Sequence, residues 1–206
     1  MSTVDAAFYF DLSSPHAYLA AEQILSTMPV ACEWQPVLAR ELPGAERFEA
    51  FRCREEQEIF RLEVARRAAE LGLQEMRWPD PFPFDSTRAM RAATYAKSIG
   101  RIVAFAQAAF RQTFAGGHSL EQIDRVLIAA AACEMHPAAV LKGTELRSVR
   151  EGLSAATAGA IAHGVNEVPA VRIHERVFHG ERTLAQAASY ARQIDARATP
   201  STGTAR

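Results

Sequence analysis

The spacing of apolar residues changes along the chain, and each change marks a new element. Ala6 to Leu12 is an apolar, aromatic-rich run that predicts a buried strand. Ser14-Pro15 follows, a helix start with serine at the cap and proline in the first turn. Behind it Ala17, Tyr18, Ala21, Ile24, Leu25 and Met28 recur at helical spacing on one face, and Pro29 stops the helix. Cys32 to Leu38 predicts a second strand, with Pro36 demoting its end to an edge or bulge. Strand, helix, strand is a βαβ unit, for which a right-handed crossover is expected.

The middle of the chain reads as helical. Glu55 to Leu71 is a charged amphipathic helix ended by Gly72, and the proline-rich run Trp78 to Pro83 is a rigid connector. Asp85 or Ser86 caps a helix running to about Ser98. Ile102 to Phe114 marks another, closed by Gly116-Gly117, and Ser119 caps a third. Shorter helices are expected over Pro137 to Leu141 and Glu145 to His163, with Gly164 at the C-cap. Strand character then returns. Val168 to Ile173 alternates, Val177-Phe178 pairs with it across a turn at Glu175-Arg176, and Leu184 to Ile194 is a final helix. The order βαβ, helices, ββα predicts an α/β, thioredoxin-like fold with an inserted all-helical subdomain. The expected division is 1–40 with 165–196 for the thioredoxin-like part, 41–164 for the helical insertion, and 197–206 for a flexible tail.

Composition narrows the classes rather than the fold. The 206 residues are 49% hydrophobic and 23% charged, with net charge -1 and the two signs interspersed, so no basic face suggests nucleic acid or an anionic membrane. No apolar run approaches a membrane span, and residues 1–11 lack the basic start and cleavage site of a secretion signal. A soluble, cytoplasmic protein is expected. The three cysteines, Cys32, Cys53 and Cys133, lie far apart without dithiol or metal-ligand spacing, and the six histidines are scattered, so no metal is expected.

Three motifs together resemble a known family, the 2-hydroxychromene-2-carboxylate isomerases and kappa-class glutathione transferases, relatives of DsbA-type oxidoreductases. They are Phe8-Tyr9-Phe10-Asp11-Leu12-Ser13-Ser14-Pro15-His16, Phe82-Pro83-Phe84-Asp85-Ser86-Thr87, and Gly164-Val165-Asn166-Glu167-Val168-Pro169 followed by Phe178-His179-Gly180. The resemblance implies glutathione as cofactor and a small aromatic or unsaturated acid as substrate. Dimers are common in that family. It also implies a cis peptide before Pro169, with the Val168 backbone pairing with the cysteinyl part of glutathione as an added strand would. Glu181 is expected to take the place of the family's acid at the γ-glutamyl ammonium, by a one-residue shift, since Arg182 stands at the usual acid position. Asp85 stands where the family has an amide, and with Pro15 and His16 it is expected to face substrate.

The chemistry at the first motif follows from residue types. Where a redox relative carries Cys-x-x-Cys, this chain has Ser14-Pro15-His16-Ala17, so no thiolate forms there and disulfide exchange is excluded at this position. What is left is a helix N-terminus, which favours an anion, with a hydroxyl beside it. By the resemblance the anion is the glutathione thiolate, and Ser14 donates a hydrogen bond to it. The expected reaction is isomerisation of an unsaturated aromatic keto acid by thiolate addition, bond rotation and elimination. A kappa-like transferase and a non-catalytic DsbA-like binding protein with a decayed glutathione site are the alternatives.

Overall fold

A computed structural model of the chain describes residues 4–45 and 53–198. The end of the expected tail, 199–206, lies outside the described residues, as do 1–3 and 46–52. Four strands form one sheet in the order β2-β1-β3-β4, with β1 Ala6–Phe10, β2 Glu33–Pro36, β3 Ala170–Ile173 and β4 Arg176–His179. Strand β1 runs parallel to β2 and antiparallel to β3, and β3 pairs antiparallel with β4. That is the arrangement expected from the βαβ and ββα halves, a thioredoxin-like fold with helices between β2 and β3.

The central strand explains why two sequence-distant halves meet. Its side chains alternate between faces, as the period of two requires. Phe8 and Phe10 enter the larger core, where Phe8 meets Trp34 edge-on at 5.0 Å and Phe10 meets Phe110 at 5.8 Å. Ala7 and Tyr9 face a smaller cluster with Val37, Leu42, Ala160 and Val165. Both faces are therefore covered, which is why the run shows no polar alternation.

The helices are α1 Pro15–Thr27, α2 Arg54–Glu70, α3 Thr87–Ser98, α4 Ile102–Phe114, α5 Ile123–Ala131, α6 Pro137–Glu145, α7 Arg147–Ala162 and α8 Leu184–Ala198. Several local expectations shift. Leu25, placed on the apolar face of α1, is 61% exposed, because the buried stripe runs through Ala17, Tyr18, Ala21 and Ile24. Ser119 does not cap a helix: its Oγ accepts from Glu121 N at 3.3 Å in a turn, and α5 begins only at Ile123. The β3–β4 turn sits one residue earlier than expected, at His174-Glu175, where His174 takes the positive φ of 49°. Helix α6 runs on to Glu145, α7 starts at Arg147, and α8 continues past Ile194. Gly164 has the φ of +83° that its C-cap role requires.

Because Phe10 joins the sheet to α4, its loss should be felt across the whole molecule. Phe10→Ala is expected to lower the unfolding free energy by about 3–5 kcal/mol in urea titrations. A loss under about 1 kcal/mol would show that sheet and helices do not share one core.

Candidate functional site

Strand β1 delivers the chain to a tight turn that starts α1. Ser14 N donates to Asp11 O at 3.0 Å, Tyr18 N to Ser14 O at 3.1 Å, and Ser14 Oγ accepts from Ala17 N at 3.2 Å. Ser14 is thus the N-cap, with extended backbone (φ -89°, ψ 115°) and Pro15 in the first turn. Its oxygen is spent as an acceptor on the cap, while its O–H donates to no described residue. Ser14 is only 2% exposed, so a ligand atom that reaches the hydroxyl has left water.

Beneath this turn lies Asp11, 1% exposed. Its Oδ1 accepts from Ser13 N at 2.9 Å and Ser13 Oγ at 2.8 Å, and its Oδ2 accepts from Ala39 N at 2.9 Å. One carboxyl therefore holds the end of β1, the start of α1 and the segment after β2. Burial outweighs these donors and raises the Asp11 pKa above the ordinary 3.8. His16, exposed on the first turn of α1, sets its ring edge-on to Phe60 at 5.6 Å. Desolvation holds its pKa below the ordinary value, against the attraction of Glu181 and then Glu167.

The Val168-Pro169 peptide is cis, as the resemblance implies. Pro169 O accepts from Gly180 N at 2.8 Å, and Asn166 is fixed on both sides, by His179 Nε2 at 3.1 Å and by Gly44 N at 2.7 Å. Half-buried Val168, in contrast, makes no backbone hydrogen bond among the described residues. An unpaired, half-buried N–H and C=O on one residue is what an added extended peptide would pair with. Gly180 turns the chain with φ of 81°. Glu181 follows, 5% exposed, and its Oε1 accepts from Arg67 Nε of α2 at 2.9 Å, with Arg182 Nε 3.6 Å away. The carboxylate expected to meet an ammonium is thus already engaged by a guanidinium.

Asp85 lies elsewhere, on a cleft of about 460 Å³ also lined by Asp11, Ser13, Arg40, Pro81, Pro83, Phe84, Ser86 and Glu121. Its Oδ1 accepts from Thr87 N at 2.9 Å and from Thr87 Oγ1 at the start of α3, whose N-cap is Ser86, and from Arg40 Nη1 at 2.9 Å. Desolvation pushes its pKa up, but the Thr87 bonds and Arg40 outweigh it, and the carboxyl stays below its ordinary value. Val168, Pro169, Gly180 and Glu181 do not line this cleft. Of the Asp11–Ser14 turn, Asp11 and Ser13 line it.

Sequence reading missed Asp11, Ser13, Arg40 and Arg67. It also missed the half-buried aromatics beside His16, where Trp78 meets Phe82 at 4.9 Å and Phe60 at 5.8 Å. Only Asp11 left a local signal, since Asp followed two residues later by Ser invites a side-chain turn. The thiols lie away from the motif: Cys32 is pushed up to about 11 by burial, and Cys133 is raised by the same cause. Among the described residues no group of His, Cys, Asp and Glu could hold a metal ion, and no helix is long and apolar enough to cross a membrane.

The model of the DSBA-like thioredoxin domain matches residues 5–192. The chain belongs to this family. No curated protein matches this DSBA-like chain, but solved structures do. A 2-hydroxychromene-2-carboxylate isomerase is similar with a TM-score of 0.80 at 16% identity, over 94% of this chain and 97% of that one. A probable DsbA oxidoreductase from Streptomyces coelicolor follows at 0.77 and 18%, covering 92% and 90%. The cytosolic disulfide reductase DsbM from Pseudomonas aeruginosa, solved with GSH, gives 0.63 at 12%, covering 95% and 99%. At these identities the likeness shows the fold alone.

The Asp11 carboxyl makes a prediction about stability. The folded chain keeps a proton that the unfolded chain releases, so the group's stabilisation is complete below the unfolded value of 3.8 and is lost as pH rises through the folded value. Asp5 and Asp85, held below their ordinary values, contribute the opposite slope. Asp11→Asn should therefore remove a fall in stability with rising pH, read from denaturant unfolding across pH. An unchanged slope would assign that fall to another group.

Proposed function

We propose that this DSBA-like chain is a glutathione-dependent isomerase of the 2-hydroxychromene-2-carboxylate type. The observation that carries the reading is the Ser14 hydroxyl. It is fixed at a helix N-terminus with its proton undonated, and the motif offers no sulfur of its own. A thiolate is the anion that such a place lacks. Bound glutathione would supply that thiolate as a nucleophile for isomerising a conjugated double bond.

The chain's own residues supply orientation and charge stabilisation. Ser14 Oγ donates to the sulfur and, with the N–H of His16 and the positive end of α1, lowers its pKa. Val168 pairs its N–H and C=O with the cysteinyl backbone, while Pro169 and Gly180 hold the strand end that presents it. Glu181, shared with Arg67, faces the γ-glutamyl ammonium. Pro15 and His16 flank the sulfur, and the aromatic side chains at Phe60, Trp78 and Phe82 suit a conjugated substrate. A kappa-like transferase would use the same thiolate and release the conjugate.

The pairing of Glu181 with Arg67 favours a second reading, a DsbA-like binding protein whose glutathione site has decayed. Calorimetry separates the two. Glutathione should bind in the micromolar to millimolar range and lose most of its affinity in Val168→Gly and Glu181→Arg. Cysteinylglycine, which lacks the γ-glutamyl group, should bind more weakly. No heat with glutathione would sink the enzyme reading, and equal heats would remove Glu181 from it. In the active protein Ser14→Ala should lower turnover by roughly 10²-fold with little change in glutathione affinity. A Ser14→Ala variant as active as the parent would rule out the hydroxyl's role.

A further inference from the structure

The cleft beside the Ser14 turn carries information about charge. Among the described residues lining it, Arg40 is the one cation, against the carboxyl groups of Asp11, Asp85 and Glu121. Arg40 Nη1 lies 2.9 Å from Asp85 Oδ1, and no other acidic partner of Arg40 occurs among the described residues. Asp85 cannot swing away cheaply, because the same oxygen accepts from both the amide and the hydroxyl of Thr87. Arg40 is therefore neutralised where it stands. Asp11 adds either no charge or a negative one, and exposed Glu121 adds another negative charge at the rim. No protonation state of these four groups near neutral pH leaves the lining positive. The rest of the wall is uncharged: Pro81, Pro83 and Phe84 with the hydroxyls of Ser13 and Ser86. A carboxylate entering here would give up water without gaining an unpaired cation among the described residues.

Resting on the thiolate site proposed at the start of α1, we infer that this cleft receives an uncharged conjugated carbonyl compound, and that Asp85 sets the choice by cancelling Arg40. This keeps the thiolate chemistry of that reading and departs from the acid substrate that the resemblance implies. The sulfur adds to the carbon β to the carbonyl, the π electrons move to the carbonyl oxygen, and elimination reverses both changes, so no oxidant or reductant is needed. Asp85 acts on specificity and takes no part in these bonds. Its pair with Arg40 is solvent-facing, at 45% and 53% exposure, so it can be broken without unfolding the chain.

The test uses the full chain and two probes with the same body, trans-cinnamate and trans-cinnamamide, titrated by calorimetry without any thiol. The amide is expected to bind at least about tenfold more tightly than the acid. Asp85→Asn frees Arg40 while keeping an oxygen for Thr87, and should raise cinnamate affinity about tenfold with the amide unchanged. Asp85→Ser, which also keeps a side-chain oxygen there, should give the same gain, and thermal unfolding would verify that both variants fold. Cinnamate binding as tightly as the amide in the parent overturns the inference. So does an unchanged preference in both variants, or failure of both probes to bind. Tighter binding of cinnamylamine than of the amide would overturn it in favour of a cation. Glutathione titration of the same proteins is a separate measurement: its failure in the parent would sink the thiolate reading while the ratio of amide to acid is still read.

Discussion

Asp11 leaves the sheet where three segments must be held together, and its carboxyl is the group that holds them. The two backbone N–H groups it accepts belong to residues far apart in sequence, Ser13 and Ala39. Neither segment has a regular ladder to satisfy those donors, since one is a turn into a helix and the other leaves an edge strand for a 3-10 turn. A buried N–H without a partner costs on the order of 1–3 kcal/mol, so the carboxyl removes a cost that packing alone could not. It does so at the expense of its own desolvation, which is why its pKa rises. The position of Ser14 is fixed by this exchange. Its cap geometry, its burial and the direction of α1 all follow from the turn that Asp11 ties.

What was legible in the sequence was whatever one segment decides alone. The Ser14-Pro15 start of α1, the strand character of Ala6 to Phe10 and the glycine at 164 each follow from local chemistry, and each stands where expected. The order of elements then leaves few topologies, and the four-stranded sheet is one of them. The errors at Leu25 and Ser119 are also local. Helical spacing cannot say how wide the buried stripe is, and a serine can close a turn as readily as a helix. Arg40 with Asp85 and Arg67 with Glu181 were invisible for a different reason. Each joins segments that meet only in the fold, and a single charged residue on a predicted helix or loop looks solvated until its partner is in place.

The two ion pairs play different physical parts. Arg40 and Asp85 are half-exposed, so their attraction is screened and adds little to stability. Arg67 and Glu181 are unlike them, because Glu181 is almost fully buried and would be left as an uncompensated charge without its guanidinium. Arg67 is therefore a structural requirement of the hairpin exit as long as Glu181 is ionised. Any ammonium that uses Glu181 must do so as a second cation on the same carboxylate. Arg182, 3.6 Å from that oxygen and largely exposed, can yield its place far more cheaply than Arg67.

These charges fit together if the site admits one new negative charge and no more. The start of α1 offers the N–H of His16, the hydroxyl proton of Ser14 and the positive end of the helix. A few residues away the cleft offers no unpaired cation among its described residues, and its floor is the Asp11 carboxyl itself. Two anions, a thiolate and a substrate carboxylate, would have to share this one favourable point, because the Arg40–Asp85 pair leaves no net positive charge for the second. A neutral substrate avoids that conflict. It leaves the helix terminus to the sulfur and asks of the cleft only apolar contact. On this division of labour Asp11 fixes the anion site through the turn it ties before Ser14, and the Arg40–Asp85 pair leaves the cleft nothing to hold a second anion.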